Sequence, residues 1–179
     1  MKSYTQEEFD KFLVIEGIKQ CPTGNYTAIK YFTEKCSFSE ECSFSEGSIF
    51  VERCKFAGWC KFAEWCSFGK WCHFSAGCTF AEGCNFGGCI FTGTCSFAEH
   101  CRFYNSCLIS GHEMLDSFVR SLSGVGTCRR TLYVWNTKDG WFCQAGCRFD
   151  KEETFLFEVR RRYGNDSHYE RAVKFLKEI

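Results

Sequence analysis

The sequence predicts a mainly β protein: a parallel β-helix, or solenoid, of about five three-sided coils, with an N-terminal capping helix and a C-terminal ββαα appendage. Three observations carry this. Residues 24–112 repeat every six residues, with Cys at the first place and Phe at the third in most units. Apolar and polar places alternate through the first half of each unit, the period of a half-buried strand. A small residue then follows the aromatic, ahead of a pair rich in Glu and Gly where the chain can turn a corner.

Residues 1–23 form a lead-in. Thr5 and Glu8 make a capping box, in which the hydroxyl and the carboxylate each satisfy a free backbone N–H. Phe9, Phe12 and Leu13 follow at helical spacing, and Gly17 can end the helix in a left-handed conformation. A helix this short is marginal alone, so its apolar stripe is expected to cover the open end of the solenoid. Cys21–Pro22–Thr23–Gly24 reads as a turn into the first coil.

The solenoid is expected over 24–119. Typical units are CSFSEE from Cys36, CKFAEW from Cys60 and CHFSAG from Cys72; two looser ones, from Gly24 and Lys30, keep an aromatic at the third place in Tyr26 and Phe32. Fifteen units run consecutively, with one deletion at 84–88. Cys and Phe point inward, while Ser37, Lys55, Lys61, His73, Asn85 and Arg102 point out. With three sides, residues eighteen apart stack at about 4.8 Å. Pairing a large Phe with a small Cys keeps the interior volume nearly constant. Twelve of the sixteen cysteines occupy that one repeat position, so they read as reduced core residues of a cytoplasmic protein rather than as a disulfide framework.

Rewritten from the aromatic, the unit F-[A/S/G]-x-x-C-x resembles the hexapeptide repeat of left-handed parallel β-helices. It departs from that family in using Phe where the family has Leu, Ile or Val. The resemblance implies a triangular coil. A square coil like that of pentapeptide-repeat proteins, which also accept Phe at their central place, stays open, as does the handedness.

Several surface residues are candidate binding positions. Glu46, Glu64, Glu82 and Glu99 share one edge, separated by 18, 18 and 17 residues. They are either a solvated corner that protects strand edges or an acidic ridge that imitates the phosphates of a duplex. Trp59, Trp65 and Trp71 end three consecutive units and so fall on three different corners of one turn. His73, His100 and His112 invite comparison with the acyltransferases and zinc carbonic anhydrases built on this fold, but do not converge, and no inserted loop closes a pocket. No catalytic residue is expected.

The periodicity fades after Cys107, and Ser123–Gly124–Val125–Gly126 reads as a joint before a module at 127–179. Residues 130–136 and 141–147 read as a hairpin. Asp150 with Glu153 caps a helix carrying Phe155, Leu156, Val159 and Tyr163, ended by Gly164; Ser167 caps a second with Tyr169, Ala172, Val173, Leu176 and Ile179 inward. Cys143 and Cys147 have a spacing that could hold zinc, but Cys128 and His168 lie on other elements, so these read as half-buried thiols rather than a zinc site and no metal or cofactor is expected. Arg160, Arg161 and Arg162, with Arg129, Arg130 and Arg148, give the module a basic face, the one feature that suggests direct nucleic-acid contact.

The whole chain balances 22 basic against 22 acidic residues, so no global field draws it to nucleic acid or anionic lipid. No apolar run reaches 18 residues, and no leader pattern opens the chain, so a membrane role is not expected. The hexamers together with the module pattern W-N-x-K-x-G-W…A-G-C-x-F-x-x-x-E-x-F look like small proteins of phages, prophages and gut bacteria. That likeness implies a non-enzymatic accessory protein in the bacterial host cytoplasm, blocking a host defence effector or nuclease as anti-CRISPR proteins do. The alternatives are a scaffold that self-associates, as a homodimer through the C-terminal module, and an acyltransferase of the hexapeptide fold.

Overall fold

The computed structural model describes residues 1–126, 129–164 and 168–179. Short strands stack into three parallel faces, and from Tyr31–Phe32 to Leu108–Ile109 each pairs along the coil axis with the strand three places on or back. The first face runs Ile18–Cys21, Cys36–Phe38, Lys55–Phe56, His73–Phe74, Ile90–Phe91 and Leu108–Ile109. The second holds Ser43–Phe44, Lys61–Phe62, Thr79–Phe80 and Ser96–Phe97. The third holds Tyr31–Phe32, Ile49–Phe50, Ser67–Phe68, Asn85–Gly87 and Arg102–Tyr104. The section is therefore triangular, and the square coil is excluded. Phe38, Phe56 and Phe74 align at eighteen-residue steps, and Phe74 then aligns with Phe91, the deletion at 84–88 having shortened one coil.

Most units close on a left-handed residue. Glu41, Gly47, Arg53, Trp59, Trp65, Trp71, Gly77, Gly83 and Gly88, the last residues of nine consecutive units, all have positive φ. This bend turns the chain by one side of the triangle. Glycine takes it freely, whereas an L side chain costs roughly 1–2 kcal/mol there.

Inside, the phenylalanines form three columns. Rings in one column lie nearly parallel, as in Phe56 on Phe74 with centroids 4.8 Å apart and planes 4° apart. Rings of neighbouring columns meet edge to face, as in Phe74 and Phe80 at 5.0 Å and 88°. Both geometries suit the aromatic quadrupole. The cysteines stand beside them, fully buried, and point their thiols at carbonyls of the preceding coil: Cys72 to Val51 at 3.2 Å and Cys78 to Ala57 at 3.5 Å. All fifteen described cysteines are free thiols. Burial holds the Cys89 thiol well above its ordinary pKa, which keeps it protonated and unreactive.

At the N-terminal end, α1 (Gln6–Asp10) carries the expected capping box, Glu8 N–H donating to Thr5 Oγ1 and Thr5 N–H to Glu8. Phe9 sets its ring edge-on to Phe32 and Tyr26 and so covers the first coil. Two details depart from expectation. Leu13 is 67% exposed, outside the apolar stripe. The helix ends at Lys11, and Gly17 instead turns a small hairpin, Val14–Ile15 against Ile18–Cys21, that begins the first face earlier than Gly24. Buried Lys19 is satisfied there by the Phe9 carbonyl, at 3.2 Å, and by Glu34, also at 3.2 Å.

The C-terminal end is closed by a four-stranded antiparallel sheet, in the order Arg120–Val125, Arg130–Thr137, Gly140–Ala145, Arg148–Lys151. The expected hairpin is its centre; the two outer strands lie where the sequence shows a joint and a helix cap. Asp150 caps no helix, because Arg148 holds its carboxylate within the last strand. One face of this sheet packs on the solenoid: Trp135 meets Phe97 edge-on at 5.6 Å, and Gln144 donates to the Cys95 carbonyl at 2.6 Å. The other face, with Leu132, Val134, Cys143 and Ala145, buries against α2 (Glu152–Tyr163) and α3 (His168–Glu178). Gly164 follows α2 as expected, Ile179 is exposed, and Ser167 lies outside the described residues. Among the described residues no helix is long and apolar enough to cross a membrane.

Candidate functional site

The coil geometry brings Glu46, Glu64, Glu82 and Glu99 onto one corner, between the second and third faces. Backbone N–H groups of Gly47, Trp65 and Gly83 donate to the carbonyls of Glu64, Glu82 and Glu99, so each corner hangs from the next. Adjacent carboxylates therefore stand about one strand spacing apart, ~4.8 Å at the backbone. Glu82 meets His100 Nδ1 at 2.9 Å; among the described residues no cation pairs with Glu46, Glu64 or Glu99.

The same corner carries Trp65. Trp59 and Trp71 occupy the other two corners of the same turn, as expected, with exposures of 63, 54 and 52% for Trp59, Trp65 and Trp71. Each indole is half covered by a neighbouring coil. A Cβ on Gly83 would stand 2.4 Å from the Trp65 ring and one on Gly77 2.7 Å from Trp59, so those glycines are the seats on which the rings lie. Trp71 takes the Arg53 guanidinium at 5.8 Å instead. Three bulky residues thus hold a backbone shape that suits glycine, while their outer faces meet water. Glu41, Arg53 and His100 hold the same conformation at the equivalent place, so the bend belongs to the coil and the exposed indole faces are what set these three corners apart.

The histidines stay apart. His73 faces outward on the first face beside Thr92, with burial and then Lys55 pushing its pKa down. His100 is on the acidic corner. His112 is in the strand His112–Glu113 that closes the first face, its Nδ1 2.7 Å from Asp139 and its ring stacked on Phe142. Nothing in this arrangement joins them into one acid–base site.

The C-terminal basic run separates into three fates. Arg160 pairs with Glu170 and Arg161 with Glu158. Arg162 opens instead onto a cleft of about 440 Å³ between the sheet and α2, where Arg130 and Arg148 also stand. Arg148 is held there by Asp150, which pushes its pKa up, and by Glu158 at 3.6 Å. Cys147 is exposed at this cleft, while Cys143 is buried on the helix-facing side of the sheet; Cys128 lies outside the described residues. Among the described residues no cluster of three or more His, Cys, Asp or Glu is arranged to hold a metal ion. The cleft was invisible as a site in the sequence because its arginines come from two strands and a helix.

Compared with protein-family models, with curated proteins and with solved structures, the chain matches none. The fold and these surfaces are the ground for a functional reading.

Proposed function

We propose that the protein is a non-enzymatic binding protein whose acidic corner, centred on Trp65, docks on a basic surface of a protein partner. The observation that carries this is the coincidence on one edge of four stacked glutamates and a half-exposed indole. An aromatic anchor ringed by charge is the composition of an interface hot spot, and unpaired carboxylates speed encounter with a basic partner. The coil supplies rigidity, so little order has to be gained on binding. The narrower form of this proposal follows the likeness to phage and prophage proteins: the partner is a host defence effector or nuclease, and the ridge competes for its nucleic-acid site.

Affinity capture from bacterial lysate tests the reading, comparing the natural chain with Glu64→Lys/Glu82→Lys, Trp65→Ser and Trp59→Ser. The expected outcome is a partner lost with the first two variants and kept with the third, which alters a different corner. An unchanged partner set in all three removes the acidic corner from the function. A second reading, self-association, is favoured by the exposed edge strand Arg120–Val125, where Leu122 lies beside Phe175 of α3. Sedimentation that depends on concentration without any partner would select it.

A further inference from the structure

From the Arg130–Arg148–Arg162 cleft we infer a second binding site, distinct from the acidic corner, that takes a mononucleotide: an aromatic base carrying a phosphate. The cleft offers both halves of such a ligand a place. Arg130 and Arg162 both line the cleft, one at the start of a strand and one in the last turn of α2, and among the described residues no carboxylate pairs with either. Their neighbour Arg148 is neutralised by Asp150 and Glu158, so the uncompensated charge is concentrated on those two side chains. Guanidinium groups present paired N–H donors that match phosphate oxygens, and two of them from separate elements enclose an anion rather than merely attract it.

The place of Arg130 is set by a glycine. A Cβ on Gly146 would stand 3.1 Å from Arg130 Nη1, so the guanidinium lies against the bare backbone of the turn before Cys147. The aromatic half is met by Tyr163, 46% exposed at the cleft, whose ring is stacked on Tyr169 with centroids 6.2 Å apart. A base needs one such exposed ring face, and stacking there is tolerant of base identity. The volume of about 440 Å³ lies within the range of small-ligand sites. A bare anion would use only the two arginines; a neutral aromatic would use only the tyrosine.

Cys147 reports on occupancy because its thiol is exposed at the cleft. The full chain carrying Cys128→Ser is alkylated with iodoacetamide, alone and with AMP, GMP, adenosine or inorganic phosphate. A mononucleotide is expected to slow Cys147 alkylation saturably, with adenosine, which lacks the charge-assisted contacts, and phosphate, which lacks the stacking, each at least about tenfold weaker. Arg130→Gln/Arg162→Gln is expected to weaken that protection about tenfold, and Tyr163→Ser to weaken it while leaving weak phosphate protection unchanged, each with the thermal transition of the parent. Absence of protection by any mononucleotide overturns the site. So does protection that survives the double variant, or phosphate or adenosine alone protecting as well as the nucleotide. None of these outcomes depends on Glu64, Trp65 or the partner they bind.

Discussion

At the scale of single residues, the stability of this chain rests on one side-chain choice made many times. A phenylalanine in the column stacks on rings above and below and meets others edge-on; Phe74 does so with Phe56, Phe91, Phe68 and Phe80. Its neighbours are held by backbone ladders and cannot collapse inward, so truncation leaves an open cavity. Phe74→Ala is expected to lower the unfolding free energy by about 3–5 kcal/mol, at the upper end for such changes, as urea unfolding would show. A loss below about 1 kcal/mol would mean the columns relax far more than stacked strands permit. Cysteine suits the neighbouring place because it is small and still offers a weak donor to the corner carbonyl. Ser48, the one serine among these buried places, donates to the Ser45 carbonyl at 2.8 Å, which shows what that position asks of its side chain.

The elements differ in how legible they were. A six-residue period with alternating burial specifies strand, inward face and corner together, and so the strands and their buried face could be read from letters alone. Three sides rather than four, and with them the glutamate alignment, needed the strand pairing. The outer strands of the C-terminal sheet could not be read in this way. Arg120–Val125 contains Ser121, Ser123 and Gly124, and its pairing slips between Leu122 and Val125, so its alternation is broken where it would have been diagnostic. Arg148–Lys151 carries an Asp three places before a Glu, the mark of a helix start, but a strand neighbour claims that carboxylate. The arginine cleft escaped for a related reason: charge is visible in a sequence, convergence from three elements is not. The cysteine columns make their own prediction at this scale. Native alkylation should leave fourteen of the fifteen described cysteines unmodified, Cys147 being the exception, until the chain unfolds. Reductant should shift the melting temperature by less than about 4 °C, since losing even one structural disulfide of ~2 kcal/mol would exceed that. A larger fall would show that bridges, not stacked thiols, hold the coils.

For the whole molecule the physical problem is the two ends, because a stack of parallel strands leaves unpaired backbone and bare rings at each. The N-terminal end is met by a hairpin and Phe9, the C-terminal end by a sheet turned so that one face reads as more core and the other as its own domain. This explains why residues 132–135 look continuously apolar: Tyr133 and Trp135 belong to the solenoid, Leu132 and Val134 to the helices. Tyr133 is the joint between them. Its hydroxyl accepts from Phe97 N–H at 3.1 Å and donates to Phe97 O at 3.2 Å, standing in for the next strand at the edge of the second face. Tyr133→Phe keeps the ring and removes both bonds, leaving a buried donor and acceptor unpaired, which costs about 1–3 kcal/mol. The loss should be accompanied by faster hydrogen exchange at the Phe97 amide, while the amide of Phe62, two coils inward, keeps its protection. If Phe97 exchanges as slowly as before, the strand edge is satisfied some other way and the C-terminal sheet covers the solenoid without completing it.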